Sequence, residues 1–217
     1  MKIRLIIATL AVLVFSEISR AQTTGTVTVT GTNPAAVSVT NASDSALSTT
    51  VALGTLTPAT GGSLTSGTFQ LRLRSSKAYV LSAQTTALSF TGLGSTDGGE
   101  TIAASDIGFG VTALANTGAN VANSGSRTDT IVAKFDYQSG YPAVSNGLTP
   151  FASGTNGTLN DVTSNTQVLS GSRISVKGNI STNNNFIVAT IGVATLPQYF
   201  TPNTDFSATI TLTATAP

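Results

Sequence analysis

The chain has 217 residues, with 10 Lys and Arg against 9 Asp and Glu and neither His nor Cys; from Gln22 onward it also lacks Trp and Met and keeps a single glutamate, Glu100. That composition removes the side chains on which Ser-His-Asp and Cys-His catalysis and ordinary zinc or copper sites depend. The charged fraction is 9%, concentrated locally only at Arg72, Arg74 and Lys77, which argues against nucleic acid as a partner, while 40% hydrophobic residues make simple disorder a poor description and predict a folded chain.

The N-terminus carries Lys2 and Arg4, an apolar run from Leu5 to Phe15, and Ser19-Arg20-Ala21. Basic, apolar and small-residue regions in that order read as a secretory signal peptide over 1–21, cleaved after Ala21. A retained anchor would need about 20 consecutive apolar residues, and Ser16, Glu17, Ser19 and Arg20 end the run early. Cleavage removes three of the 10 bases and one of the 9 acids, leaving seven and eight and a net charge of −1. An exported chain without cysteine must hold its fold by packing rather than by disulfides, and at this size a domain can bury roughly 70% of its unfolded surface. So weakly charged a surface is poorly protected against association, which suits a subunit better than a free monomer.

Thr26-Val27-Thr28-Val29-Thr30 alternates at period 2 between Gly25 and Gly31 and predicts a strand. Ala36 to Thr40 repeats the pattern, the turn-prone Asn41-Ala42-Ser43-Asp44 follows, and Val51-Ala52-Leu53 resumes it. Phe69, Leu71 and Leu73 alternate with Gln70, Arg72 and Arg74 in a clean amphipathic strand. With Ser75-Ser76-Lys77 as a turn and Tyr79 and Leu81 returning, Phe69 to Ala83 predicts an antiparallel hairpin with one buried face.

Leu88 to Phe90 closes this half, and Thr91 to Ser105, containing Asp97-Gly98-Gly99-Glu100, reads as a surface loop. Ile107, Phe109 and Val111 begin a further strand, and Ile131, Ala133, Phe135 and Tyr137 another, opposite Lys134 and Asp136. Gln138 to Ser164 lacks periodicity and predicts a long loop or ragged edge. Val168, Ile174 and Val176 open the last group. Phe186 to Val193 is nearly continuous in apolar residues, as a central strand buried on both faces should be, and Phe206 to Ala214 ends the chain in strict alternation.

No segment after 21 holds a helical period for two turns, and the Thr- and Val-rich runs favour strands. The expected fold is all-β: an Ig-like, Greek-key antiparallel β-sandwich of about nine or ten strands, forming one domain over 22–217. An outer-membrane barrel is the competing all-β form, but it needs aromatic girdles, and the chain is 6% aromatic.

Candidate chemistry is sparse. Asp97 and Glu100 supply oxygen ligands on one loop and form a weak calcium candidate, although their spacing matches no EF-hand pattern. Glu100 paired with Asp97, Asp106, Asp129, Asp136 or Asp161 is the formal requirement for glycoside hydrolysis, against which stands the simpler role of these acids as loop caps. Gly92-x-Gly94 and Gly108-x-Gly110 lead into no helix and read as strand and turn glycines. Tyr137, Tyr141 and Phe151 could make a platform for a sugar, and packing is the simpler role. Arg72 and Arg74 either engage an acidic partner or form a solvated sheet face. No catalytic, cofactor-binding or metal residue is assigned with these in view, and the chemistry left is backbone pairing at a sheet edge.

The alternating Thr24-x-Thr26-Val27-Thr28-Val29-Thr30 segment directly after the cleavage point, together with the alternating final strand, resembles the cysteine-free class of bacterial fimbrial (pilin) subunits. Secreted coat-protein-like β-sandwich domains look similar. What the resemblance implies is a sandwich with an unpaired strand slot that is filled by the N-terminal strand of the next subunit. Residues 22–32 would hold the donor strand, with Thr26, Val27, Thr28, Val29 and Thr30 as partner-binding residues and Val27 and Val29 as the plugs. The small size of those plugs and the lack of a penultimate aromatic depart from the larger pilin class.

The expected protein is a non-enzymatic structural subunit of a bacterial surface appendage or coat. It would be secreted to the cell surface, through the periplasm in a Gram-negative cell, form a homopolymer or join related subunits, and use a periplasmic chaperone. No cofactor, nucleic acid or membrane span of the mature chain is expected. The alternative is a monomeric secreted binding module for a sugar, calcium or a protein.

Overall fold

The computed structural model describes residues 28–32, 35–56, 65–92, 101–117, 121, 127–133, 157–175, 185–195 and 205–217. The chain divides into two compact units, 1–34 and 35–217. In the first, the described residues 28–32 form no strand and are exposed throughout. The alternating pattern there does not create a strand by itself, because a strand is completed by a neighbour's backbone groups.

The second unit is all-β and antiparallel. Within the described residues it holds β1 (Val37–Thr40), β2 (Thr65–Ser75), β3 (Tyr79–Thr85), β4 (Ser89–Thr91), β5 (Ile107–Thr117), β6 (Asp129–Ile131), β7 (Thr166–Gly171), β8 (Phe186–Thr195), β9 (Asp205–Ser207) and β10 (Ile210–Thr215). One sheet runs β1-β2-β8-β5, a second β10-β3-β7-β6, and β4 pairs with β9 alone. Both four-stranded sheets feed one hydrophobic cluster. Leu71 and Leu73 of β2, Phe109 and Val111 of β5, and Ile187 and Ile191 of β8 come from the first; Tyr79 and Leu81 of β3 and Leu169 of β7 come from the second.

β8 is central, with β2 on one side over Thr65–Leu73 and β5 on the other. This is where the nearly unbroken apolar run was expected to be buried on both faces, and only Val188 and Thr190 escape full burial. Small residues let neighbours approach: an atom added at Gly67 would stand 2.6 Å from Cγ1 of Val51, so the missing side chain is the space that Val51 fills. Val51 and Leu53 are half-buried on this packing, but they lie in no strand, which corrects the reading of 51–53 as a strand.

The hairpin expected from Phe69 to Ala83 is not one. β2 and β3 lie in different sheets. The Ser75 hydroxyl donates to the carbonyl of Lys77 (2.7 Å) and accepts from its amide (3.3 Å), a tight local turn that carries the chain out of its sheet. The Ser75 carbonyl then accepts from the amides of Ile174 (3.0 Å) and Ser175 (2.9 Å), taking a bond that a hairpin partner would have supplied. Two strands apolar on one face fit the sequence equally well side by side or in separate sheets.

The final alternation also changes partner midway. β9 pairs with β4 and β10 with β3, and the break is pinned at Thr209, whose amide donates to Oγ1 of Thr86 (3.0 Å) while its carbonyl accepts from the Thr86 amide (2.9 Å). Within the stretch expected to be a loop, Leu159–Val162 makes one 3-10 turn that buries Leu159 and Val162. Asp161 closes it by accepting from the amide (2.9 Å) and hydroxyl (2.7 Å) of Thr158; a single turn is too short to leave a helical period. Phe135, Tyr137 and Val176 lie outside the described residues.

Candidate functional site

Of the five partner-binding residues expected in the N-terminal segment, Thr26 and Val27 lie outside the described residues, as does the segment 1–21 that reads as a signal peptide. Thr28, Val29 and Thr30 are exposed, and Val29 is the exposed large hydrophobic among the described residues, at 90%.

A neighbour strand needs a sheet edge with free backbone groups, and the two four-stranded sheets have four ends. At β5 the first part of the far side is taken: the amide of Phe109 donates to Gly157 (2.9 Å) and that of Val111 to Ala133 (2.8 Å), and beyond it the register shifts between Val111 and Ala113. β6 has only three residues, and the chain after it is tied down by the amides of Val132 (2.9 Å) and Ala133 (3.2 Å), which both donate to Val168. Val168 is free to accept both because the β3–β7 register shifts there, pairing Leu81 with Leu169 but Ser82 with Gln167.

β1 is also short, with four residues, and a charged clamp stands beside it. Asp44, in the left-handed region at φ 61, where aspartate is tolerated better than most residues, accepts from Arg72 (2.8 Å) and Arg74 (2.6 Å) of β2. Both guanidinium groups lie over the Phe186 ring, at 4.4 and 4.9 Å from its centroid. Desolvation opposes ionisation of Asp44, but the hydrogen bonds and charges of Arg74 and Arg72 outweigh it and hold its carboxyl below the ordinary range. The two arginines are therefore neither a solvated face nor an open site for an acidic partner. They anchor the turn after β1 to its sheet.

β10 differs from the other three ends. Its six residues, ITLTAT, carry no charge and no proline, and the burial alternates strictly from half-buried Ile210 to exposed Thr215. The bond from the Thr86 amide to the Thr209 carbonyl fixes the phase of the β3–β10 ladder. In an antiparallel pair the bonded positions alternate, so Thr211, Thr213 and Thr215 turn their backbone groups toward β3. Ile210, Leu212 and Ala214 turn theirs away, where no strand pairs with them among the described residues.

The remaining candidates divide by position. Asp97, Glu100, Asp136, Tyr137, Tyr141 and Phe151 lie outside the described residues. Asp106 accepts from the Ala103 amide (3.1 Å) and Asp161 closes the turn at Thr158, so both serve as local caps. Among the described residues no three His, Cys, Asp or Glu gather as metal ligands. Gly108 and Gly110 lie within β5, and Gly92 ends β4 at φ 90.

Sequence reasoning missed one cluster. Arg127 grips Asp129 through Nε at 2.9 Å and through its terminal nitrogen, and Tyr79 donates its hydroxyl to the same carboxylate at 3.1 Å. Arg127 also donates to the carbonyls of Arg173 (2.6 Å) and Ser172 (2.9 Å). The ion pair is buried, with side chains 1% and 8% exposed. Every polar group points inward to another, which is the signature of a structural staple. The signal was Arg127-Thr128-Asp129, two opposite charges on one side of a strand start.

No family model, curated protein or solved structure matches the chain.

Proposed function

We propose that this protein is a non-enzymatic structural subunit of a bacterial surface appendage or coat, exported by its N-terminal segment and assembled from copies or related subunits by β-strand addition. The observation that carries this is Val29, 90% exposed within an alternating segment, Thr28 to Thr32, that belongs to no strand. Main-chain bonds supply affinity in strand addition and alternate side chains supply fit, and a chain without His or Cys can do this with nothing more than threonine and valine. The Ig-like sandwich is the fold that such assembly uses. It is supported by two four-stranded antiparallel sheets that share one buried cluster.

The test is deletion of 22–32 from the mature protein, read by size-exclusion chromatography and electron microscopy. The expected outcome is loss of polymer with retention of a folded β-rich chain. A full-length chain that stays a monodisperse monomer, with or without a chaperone, would overturn the proposal.

A further inference from the structure

We propose that residues 46–56 form a strap that lifts off the flank of the β1-β2-β8-β5 sheet as a unit while both sheets stay folded, and that the ion pair of Asp44 with Arg72 and Arg74 is its latch. The strap follows the turn after β1. It belongs to no strand, and among the described residues no backbone hydrogen bond joins it to either sheet. Side chains hold it down: Leu47, Val51, Leu53 and Leu56 are half-buried against the hydrophobic cluster, and the residues between them are exposed. A segment with few buried contacts and no ladder opens at a fraction of the free energy of global unfolding.

β1 pairs with β2 only over Arg72 to Ser75. Toward the other end of β2 the strap takes over, where Val51 fills the space at Gly67 and Leu53 lies 4.0 Å from the same added atom. The latch end is built more firmly. The side-chain oxygen of Asn41 accepts from the amides of Ser43 (2.8 Å) and Ser45 (3.0 Å), and the Asn41 amide donates to the Ser45 carbonyl (3.0 Å). The turn therefore moves as one piece, tied to β2 through Asp44, with the strap directly behind it.

Asp44 faces Arg72 and Arg74 of β2 and the Thr40 hydroxyl of β1, and Phe186 of β8 lies beneath both guanidinium groups. β1 and β8 contain no titratable side chain, so proton uptake by Asp44 is what releases the latch. Desolvation favours that uptake, and Arg74 and Arg72 resist it more strongly, so the folded pKa lies below the ordinary 3.8. The latch is whole above 3.8 and is lost as pH falls through the folded value. Acid thus opens the flank of the protein at Gly67 and leaves the sheets in place.

Thermolysin, which cuts beside leucine and valine, reads the open population when reclosing outpaces cutting. At pH 7 it is expected to cut the mature protein within 46–56 faster than the chain unfolds globally, with the site located by mass spectrometry and the β-type far-UV spectrum kept after the cut. Asp44→Asn should raise that rate about two- to five-fold, the range a partly exposed ion pair allows, and pepsin at pH 2.5 should cut the two proteins at equal rates. Gly67→Ala places a methyl 2.6 Å from Cγ1 of Val51 and should also speed the cut. The protein has no cysteine of its own, so Val51→Cys with Gly67→Cys makes a single lock. Oxidised, it should slow the cut about ten-fold or more, in the Asp44→Asn background as well, and reduction should restore the rate.

Cutting within 46–56 that is no faster than global unfolding, or that abolishes the β spectrum, would overturn the strap. An unchanged rate in Asp44→Asn would overturn the latch, and a rate difference at pH 2.5 as large as that at pH 7 would overturn its release by acid. Should the double-cysteine chain fail to fold, Gly67→Ala still decides: a cutting rate it does not alter would overturn lifting at Val51.

Discussion

Asp129 shows how few polar side chains this interior needs. Its carboxylate takes the Arg127 guanidinium and the Tyr79 hydroxyl, and the arrangement is tight enough that a Cβ at Gly171 would stand 1.9 Å from its Oδ1 and 2.8 Å from Cε1 of Tyr79. Gly171→Ala should therefore cost about 1 to 3 kcal/mol, as overpacking does. Asp129→Ala should cost more, about 3 to 5 kcal/mol, because it strands a buried guanidinium; urea denaturation of the two variants checks the order. Burial raises the pKa of the Tyr79 phenol well above its usual 10.0, and the neighbouring Asp129 charge adds to the shift. A raised folded value means that the neutral phenol's contribution is whole below pH 10 and declines as pH rises beyond it. Tyr79→Phe should flatten the fall in stability above pH 10, measured by thermal melts across the alkaline range.

At the scale of elements, the same alternation serves strands with opposite fates. β1 is held at its end by Asp44, Arg72 and Arg74, and that anchor depends on an ionised carboxylate. Because the folded pKa of Asp44 is depressed, its contribution is present above the ordinary value of 3.8 and is lost as pH falls through the folded one. Asp44→Asn keeps a side chain tolerant of positive φ and removes the charge, so it should cost about 0.5 to 1 kcal/mol at neutral pH, the range for partly exposed pairs. The gap to the unaltered protein should close below pH 3.8, and equilibrium unfolding at pH 7 and pH 2.5 measures it. Among the described residues no strand pairs with the outer side of β10. The period-2 pattern identified both as strands, but nothing in either pattern says which neighbours a strand will have, and for that reason Phe69 to Ala83 read as a hairpin and Phe206 to Ala214 as one strand.

Across the whole molecule, stability comes from aliphatic packing shared by two sheets and joined at one side by the bond from the Val111 amide to Ala133. Burial is complete at Leu81, 0% exposed, and partial at Leu212 beside the free edge. Leu81→Ala should then cost about 2 to 5 kcal/mol and Leu212→Ala clearly less; chemical denaturation of the two variants provides the comparison. The sequence by itself determined the all-β class, through alternation and β-branched residues, and the central place of β8, through its unbroken apolar run. It also set the narrow side-chain chemistry of a chain without His or Cys. Only the tertiary structure decided which strands share a sheet, that Asp44 occupies Arg72 and Arg74, that Tyr79, Arg127 and Asp129 meet, and that β10 ends its sheet with no strand paired to its outer side among the described residues. The physical reason is that alternation encodes which face of a strand is buried, whereas sheet membership and ion pairing depend on contacts between residues far apart in the chain, such as Thr86 with Thr209, which no local pattern records.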